Sequence, residues 1–358
     1  MESPTRDGLE TFHSSTQEWF RASFATPTPA QSGAWASIAR RRHTLVVAPT
    51  GSGKTLSAFL SSVDRILHAP EPTTPHRRTR VLYVSPLKAL GADVERNLQA
   101  PLVGIKHTAA RLGESVHDVR VGTRSGDTPP HVRRALVTHP PDILITTPES
   151  LYLMLTSQAR DTLRGVETVI VDEVHAVAGT KRGAHLALSL ERLDALLEHP
   201  AQRIGLSATV RPLDEVSRFL AGAADVEVVA PPNDKRWDVR VVVPVEDMAA
   251  PFDLDDQSSN GAGTRSLWPH VEERLVDLIE DHTATIVFAN SRRVAERLTA
   301  RLNEIATDRA GLSSDEPIAV PSEMVGASGV ARGAAVTIAR AHHGSVSKDQ
   351  RTKIEDDL

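Results

Sequence analysis

The sequence predicts an α/β fold in which helices cover both faces of a parallel sheet. The first observation is a set of short, mostly apolar runs, which are typical of parallel strands buried on both faces. These runs lie at 44–48, 80–84, 142–146, 168–171 and 204–206. The second observation is that apolar residues recur at helical spacing between the runs, as in 54–67 and 185–197. Strands that alternate with helices indicate a doubly wound domain.

The same pattern predicts two domains. The first pattern breaks at Pro231 and Pro232, and a second then begins. Its predicted strands are 239–243, 285–289 and 338–342, and its predicted helices are 271–279 and 292–305. We therefore expect a mobile lead-in at 1–23, with a short helix at 18–24, a first domain at 24–230 and a second at 231–358. Polar stretches at 247–265 and 307–335 are expected to form a loop and a surface insertion, and the few strands predict that the second domain is incomplete.

Composition excludes several classes of protein. The 358 residues are 40% hydrophobic and 24% charged, which is ordinary for a globular chain. The absence of cysteine excludes disulfides and thiolate catalysis. The net charge of −5 means that any nucleic-acid site must be a local patch. No apolar run approaches the roughly 20 residues that span a bilayer, and the polar N-terminus has no signal-peptide core. We expect a cytoplasmic protein that does not bind membranes.

A phosphate-binding loop is the strongest motif. Residues 48–55 read APTGSGKT between a predicted strand and a predicted helix, which is the context that such a loop requires. Glycines allow backbone amides to approach phosphate closely, and the helix N-terminus favours an anion. Lys54 is expected to reach the β and γ phosphates, and Thr55 to bind Mg²⁺. The predicted nucleotide-binding residues of this loop are Thr50, Gly51, Ser52, Gly53, Lys54 and Thr55.

A pair of carboxylates supplies the second motif. The apolar run 169–171 ends in Asp172 and Glu173, followed by Val174 and His175. Asp172 is placed to hold Mg²⁺ through its water shell, and Glu173 to orient or deprotonate the attacking water. Together with the phosphate loop upstream, these residues predict hydrolysis of ATP with Mg²⁺ as the cofactor, and Lys54, Asp172 and Glu173 as the catalytic set.

The order of all motifs points to one family. Further motifs are PTPAQ at 27–31, SPLKAL at 85–90, TTPESL at 146–151, SATV at 207–210, VFANSRR at 287–293 and AHHGS at 341–345. This series resembles the superfamily 2 helicases of the DEAD/DEAH type. It is most similar to the Lhr (large helicase-related) family of bacteria and archaea, because KRGAHLALSLER at 181–192 directly follows the DEVH box. The resemblance runs from about Trp19 to Arg351.

The resemblance implies two RecA-like P-loop domains that close around ATP. It implies that Gln31 recognises adenine, with Phe24 near the base, and that Ser207 and Thr209 couple ATP to the strand. The residues implied to contact nucleic acid are Pro86, Lys88, Thr147 and Pro148 in the first domain and Asn290, Ser291 and Arg292 in the second. The implied activity is 3′-to-5′ translocation on single-stranded DNA with unwinding of DNA or RNA:DNA duplexes, and a role in DNA repair. Substrates could be DNA or RNA, and no protein partner is implied.

Two alternatives remain open at this point. Motors of this type carry two further motifs in the second domain, one of which has the form Gln-x-x-Gly-Arg-x-Gly-Arg and supplies an arginine finger. Neither motif occurs in the sequence. Since such an arginine contributes roughly 10³ to 10⁵ in turnover, the chain is predicted to bind ATP·Mg²⁺ but to hydrolyse it weakly, as a truncated fragment. A P-loop enzyme acting on small molecules, such as a kinase, is disfavoured by the SAT and TTPES motifs.

Overall fold

The computed structural model describes residues 8–86, 88–232, 238–243, 267–312, 335–347, 350–351, 353–354 and 357. The chain divides into two compact units, Met1–Lys235 and Arg236–Leu358. The division lies a few residues beyond the predicted boundary at 230/231. Predicted segments at 247–265 and most of 307–335 lie outside the described residues.

The first unit is built on a seven-stranded parallel sheet. Its strands are β1 (His43–Val47), β2 (Val81–Val84), β3 (Val121–Arg124), β4 (Ile143–Thr146), β5 (Thr168–Val171), β6 (Gln202–Ser207) and β7 (Val226–Val229). Their order across the sheet is β3-β4-β2-β5-β6-β1-β7. All six neighbouring pairs are parallel, so every strand ends at the same edge. This is the α/β, RecA-like architecture that the resemblance implied.

Helices cover both faces of this sheet. They are α1 (Ser14–Ser23), α2 (Pro29–Ala39), α3 (Lys54–His68), α4 (Lys88–Leu112), α5 (Pro130–Thr138), α6 (Pro148–Leu155), α7 (Val174–Val177), α8 (Lys181–Asp194) and α9 (Leu213–Ala221). Short 3₁₀ turns lie at Leu9–Thr11, Pro75–Arg77 and Gln158–Leu163. Because side chains alternate along a strand, β1 places Val46 in one core with α1–α4 and Leu45 and Val47 in a second core with α6–α9. None of the described helices is long and apolar enough to cross a membrane.

The N-terminal segment differs from the predicted mobile lead-in. Within residues 8–23, Leu9, Phe12, Trp19 and Phe20 are buried in the first core. The ring of Phe20 meets the ring of Trp35 edge-on, with 5.3 Å between centroids, and α1 packs against α4. The prediction was wrong because four large apolar side chains are enough to hold the segment on the first unit, although polar residues separate them in the sequence.

Two strands of the first sheet were not predicted. β3 and β7 lie at its edges, and most of their residues are only partly buried. An edge strand has one neighbour and need not be apolar on both faces. The continuous apolar run that identified the central strands is therefore missing from 121–124 and weak in 226–229.

The second unit contains α10 (Trp268–Glu280) and α11 (Arg292–Arg309), close to the two predicted helices. None of the described residues within the predicted strands 239–243, 285–289 and 338–342 is in a strand, so that prediction was wrong. In the third segment the side chain of Asn303 accepts from the amides of Ile338 and Ala339 and donates to the Ala339 carbonyl. These backbone groups are thus satisfied by a helix side chain instead of by a neighbouring strand.

Candidate nucleotide site and strand-contact loops

The predicted chemistry gathers at the carboxyl edge of the first sheet. In parallel α/β sheets, ligands bind beyond the carboxyl ends of the strands. The phosphate loop follows β1, the two carboxylates follow β5, and Ser207 ends β6. Because β5, β6 and β1 are neighbours, residues that lie more than 100 positions apart in the chain meet at one place.

The phosphate loop has the backbone conformation that its glycines allow. Gly51 and Gly53 have φ angles of 82° and 77°, in the left-handed region that favours glycine. A Cβ at Gly53 would lie 2.5 Å from Nε2 of Gln31. Lys54 and Thr55 form the first turn of α3, whose amide groups and dipole favour an anion. Thr50 is exposed at the start of the loop, and Ser52 is half-buried.

Gln31 lies directly against this loop. It is 5% exposed and forms a capping box with Thr28 at the start of α2, in which each residue accepts from the other's backbone amide. The hydroxyl of Thr28 donates to the Ser52 carbonyl at 2.9 Å. The predicted adenine-binding motif is therefore joined to the phosphate loop. Phe24 is 44% exposed, and its ring packs on Phe20 with 4.8 Å between centroids.

Lys54 links the loop to β6. Its ammonium group donates to the Ser207 carbonyl at 3.2 Å. An ammonium group has three donors, so this contact still allows bonds to phosphate oxygens. Burial lowers the pKa of Lys54, whereas the carboxylates of Glu173 and Asp172 act in the opposite direction. The side chain is therefore placed among groups of the catalytic motif, as an ATP site requires.

Asp172 is held by two donors. It is 9% exposed; its Oδ1 accepts from the Glu173 amide at 2.9 Å, and its Oδ2 accepts from the Tyr83 hydroxyl. Burial and the Asp172 carboxylate raise the pKa of the Tyr83 phenol, which keeps it a donor. Each carboxylate oxygen retains a lone pair for a water molecule of a Mg²⁺ shell, so Asp172 fits the predicted metal role. Tyr83 is a site residue that its sequence context does not reveal, since nothing in an apolar strand marks a tyrosine that faces a carboxylate 89 positions away.

His175 connects the carboxylate motif to the end of β6. Its Nδ1 accepts from the Ala208 amide at 3.3 Å and lies 3.4 Å from the Ser207 hydroxyl. The same nitrogen lies 3.3 Å from Oε2 of Glu173. Glu173 itself adopts a left-handed conformation with φ of 45°, which is uncommon for a residue with a side chain. Thr209 is exposed two residues beyond Ser207.

The predicted strand-contact residues of the first unit lie at neighbouring strand ends. Pro86 follows β2, and Thr147 follows β4, the next strand in the sheet. Thr147 caps α6 by accepting from the Ser150 amide, and Pro148 is the first residue of that helix. Pro86, Thr147 and Pro148 are buried, so these segments offer mainly backbone to a ligand. Lys88 is the first residue of α4.

The predicted residues of the second unit lie at the start of α11. Ser291 caps the helix by accepting from the Val294 amide, and Asn290 precedes it and is exposed. Arg292 donates to the Ser345 hydroxyl at 2.7 Å. The two motifs of this unit, at 287–293 and 341–345, therefore meet each other.

One group of potential metal ligands lies away from this edge. Among the residues that the structure describes, His13, Asp64 and His68 place ligand atoms within 4.8 Å of one another. The two imidazole rings are stacked, with 3.8 Å between centroids and 7° between planes. A metal ion lies in the plane of each imidazole that binds it, and two parallel rings cannot share one ion in this way. The observed hydrogen bonds, from His13 to Asp64 at 2.9 Å and between Ser15 and His68 at 3.0 Å, favour a structural role.

The sequence model of DEAD/DEAH box helicases matches residues 28–216, which is more than half of the chain. The chain belongs to this family. The matched segment begins at Thr28 and ends within α9, so it contains the phosphate loop, the carboxylates, Ser207 and the predicted contact loops of the first unit.

Among known relatives, the helicase chain is similar to Lhr proteins, as the motifs predicted. It is 59% identical to the Lhr helicase/probable uracil glycosylase of Mycolicibacterium smegmatis over 98% of its length. It is 35% identical to the ATP-dependent helicase Lhr-Core of Methanocaldococcus jannaschii over 96%. The chain spans 23% and 36% of these two relatives, respectively.

A solved relative has the same fold. The structure of the Mycobacterium smegmatis helicase Lhr bound to ssDNA and AMP-PNP superimposes with a TM-score of 0.78 at 57% identity. The superposition covers 99% of this chain and 41% of that one. The helicase MrfA, at 21% identity and a TM-score of 0.64, shows the fold alone.

Proposed function

We propose that this chain is the ATP-binding segment of an ATP-dependent nucleic-acid helicase, which binds ATP·Mg²⁺ beyond β1, β5 and β6 and a single strand at the loops after β2 and β4. The observation that supports this most strongly is the bond from Lys54 to Ser207 beside Asp172 and Glu173. The bond joins the phosphate loop to the motif that begins at Ser207, and the two carboxylates of a third family motif lie beside it. ssDNA and AMP-PNP are the ligands named for the similar Lhr structure, and we extend them to this chain.

The nucleotide chemistry follows from the residues in place. The loop 50–55 binds the phosphates, and Lys54 neutralises charge on the β and γ groups. Thr55 and Asp172 would hold Mg²⁺, which supplies further neutralisation at the phosphates. Glu173 orients the attacking water and accepts its proton. Gln31 binds the adenine edge, and its capping box with Thr28, whose hydroxyl donates to the Ser52 carbonyl, ties base recognition to the phosphate loop.

The nucleic acid is held through its sugar–phosphate backbone. In the first unit the proposed contacts follow adjacent β-strands, and they are Pro86, Lys88, Thr147 and Pro148. In the second unit the proposed contacts precede or begin α11, and they are Asn290, Ser291 and Arg292. Contacts to phosphate and sugar position a strand without reading its sequence. We therefore propose that the chain binds single-stranded DNA and RNA with little discrimination. Ser207 couples nucleic-acid binding to ATP through its contact with His175, which also accepts from the Ala208 amide. Thr209 is proposed for the same role from the family resemblance. Movement from 3′ to 5′ is proposed from the family resemblance.

The test is ATP turnover by the 358-residue chain with and without an oligo-dT strand, compared with Glu173→Gln. The substitution keeps the side-chain size but removes the general base. The proposal predicts turnover that is weak, as expected without the arginine finger, but that rises when the nucleic-acid strand is added and disappears in the variant. Equal turnover of the two proteins, together with strand binding that does not weaken as salt increases, would contradict it.

A second candidate is an ATP-binding segment with weak turnover. One observation favours it: no described residue of the second unit, including those of its motifs at 287–293 and 341–345, is in a strand. In this case the turnover assay gives values no greater than those of Glu173→Gln. A separate binding measurement still shows ATP·Mg²⁺ binding that depends on Lys54. Strand-stimulated turnover would exclude this candidate.

A further inference from the structure

Arg182 joins two loops that follow different strands of the first sheet. Its Nη1 donates to the Pro86 carbonyl at 2.6 Å, in the loop after β2. Its Nε and Nη2 both donate to the carboxylate of Glu149, in the first turn of α6 after β4, with 2.9 Å for the second bond. One guanidinium group therefore makes three directed bonds to two segments that the family resemblance links to strand binding.

The start of α8 aims Arg182 at these loops. Helix α8 packs against α6, and its first turn is capped by Thr180, whose hydroxyl accepts from the Gly183 amide at 3.0 Å. Side chains in a first turn point back toward the N-terminus of the helix, which here lies at the carboxyl edge of the sheet. A Cβ at Gly183 would lie 2.0 Å from the Val177 carbonyl. The junction between α7 and α8 is thus too close for any residue larger than glycine, so the two helices are closely packed where one leads into the other.

The segment that leads through α7 into α8 begins at the catalytic motif. Helix α7 begins directly after Glu173, and His175 in its first turn contacts Ser207 and Ala208. The segment from Glu173 to Arg182 therefore has the proposed general base at one end and the link to both loops at the other. A displacement of α7 would change the position of Arg182 relative to Pro86 and Glu149.

We propose that Arg182 is a positioning residue for strand binding, which fixes the separation of the Pro86 and Thr147–Glu149 loops and transmits to them the position of the Glu173 segment. This inference rests on the proposed function. The planar fork of arginine is necessary, because it supplies parallel bonds to a carboxylate and a further donor to the carbonyl. Lysine carries the same charge but offers no such fixed geometry.

An ordinary surface ion pair does not explain this arrangement. The side chains of Arg182 and Glu149 are 37% and 56% exposed, and exposed pairs contribute little to stability. The hydrogen bond from Arg182 lowers the pKa of Glu149, which shows that the pair favours the ionised carboxylate. The hydrogen bond from Arg182 to the Pro86 carbonyl is not part of the ion pair with Glu149. It is the contact that joins the loop after β2 to the loop after β4.

The first test compares strand affinity among variants by fluorescence anisotropy with labelled oligo-dT in the presence of AMP-PNP·Mg²⁺. Arg182→Gln and Arg182→Lys are both expected to weaken strand binding roughly ten-fold, because each loses the fork. The affinity for AMP-PNP and the thermal midpoint are expected to stay near those of the unmodified chain. Arg218→Gln is the matched control, since Arg218 forms an exposed ion pair with Glu215 on α9 and contacts neither loop. Lysine that restores full strand affinity would overturn the proposal, because charge alone would then be sufficient.

For Glu149→Gln, simple electrostatics and the positioning role of Arg182 predict opposite changes in strand affinity. Removing a negative charge near a bound strand should strengthen binding if only electrostatics mattered. The proposal predicts weaker binding instead, because Arg182 loses its bidentate partner. It also predicts that Arg182→Gln with Glu149→Gln is no weaker than Arg182→Gln alone, as expected for residues that act as one unit. Tighter binding by Glu149→Gln would overturn the proposal.

A measurement without any strand separates this inference from the proposed function. Amide hydrogen exchange in peptides covering 85–95 and 147–155 is expected to become faster in Arg182→Gln and to stay unchanged in Arg218→Gln. Unchanged exchange in Arg182→Gln would overturn the positioning role, whatever the strand affinity. Faster exchange in a chain that binds no strand would leave the link between the loops standing and reject the proposed strand-binding function.

Discussion

Replacing Tyr83 with phenylalanine tests whether Asp172 is held in place for Mg²⁺. The substitution removes only the hydroxyl, which donates to Oδ2 of Asp172. The ring remains and keeps its contact with Phe59, at 5.1 Å between centroids, so no cavity forms. Asp172, which is 9% exposed, would retain the Glu173 amide but lose its second donor.

The size of the effect follows from these contacts. A hydrogen bond to a charged group contributes about 1.5–3 kcal/mol, and its loss leaves a buried carboxylate oxygen unsatisfied. For a unit of this size each kcal/mol lowers the thermal midpoint by about 2–4 °C, so Tyr83→Phe is expected to lower it by roughly 3–12 °C. Loss of a residue that orients a metal ligand weakens metal binding by roughly 10- to 100-fold.

Two measurements check this prediction. Thermal unfolding without nucleotide reports the lost hydrogen bond, and titration of Mg²⁺ at fixed AMP-PNP reports the metal site. Tyr152→Phe is the control, because Tyr152 is the other of the two tyrosines and is 37% exposed on α6. If Tyr83→Phe matched the unmodified chain in both measurements, the hydroxyl would not hold Asp172 and the argument would be refuted.

Three further predictions concern the first unit. Gly53→Ala is expected to weaken AMP-PNP binding in calorimetry, because its φ of 77° disfavours a side chain and the new Cβ would meet Gln31 at 2.5 Å. Unchanged affinity would show that the phosphate loop does not require this backbone conformation. Burial lowers the pKa of Lys54 from its ordinary 10.5, and the charged form binds phosphate. Nucleotide affinity should therefore fall as the pH rises through a pKa below that of a free lysine, and Lys54→Arg should show no such fall. A flat pH profile for the unmodified chain would contradict the assignment of Lys54 to the phosphates. Phe20→Ala is expected to lower the free energy of unfolding by about 3–5 kcal/mol in urea titration, because Phe20 is 1% exposed; a loss below about 1 kcal/mol would mean that the N-terminal segment is not part of the core.

The sequence was sufficient for the parts of the site that depend on local pattern. The central strands are continuously apolar because both their faces are buried, and the phosphate loop lies between a strand and a helix whose bounds differ little from those predicted. Lys54 and Asp172 could be assigned to one site from their motifs, and Ser207 from the family resemblance, before their contacts were known.

Contacts between distant segments could not be predicted in this way. Tyr83 looks like any core aromatic residue until β2 is seen beside β5, and Arg182 looks like a solvated helix residue until its bonds to Pro86 and Glu149 are seen. In the second unit, short apolar runs predicted strands, but a strand also requires a neighbour with which its backbone can pair. The backbone at Ile338 is bonded instead to Asn303, which no local pattern reveals.

Calorimetric titration of AMP-PNP·Mg²⁺ decides whether the edge formed by β1, β5 and β6 is the nucleotide site. The chain is compared with Lys54→Ala and with Lys106→Ala, a control on α4 whose lysine pairs with Asp118 at the surface. We expect the chain and Lys106→Ala to bind alike, and Lys54→Ala to bind roughly 10- to 150-fold more weakly, since a charge-assisted hydrogen bond contributes about 1.5–3 kcal/mol. Equal binding by Lys54→Ala, or no binding by the unmodified chain, would contradict it.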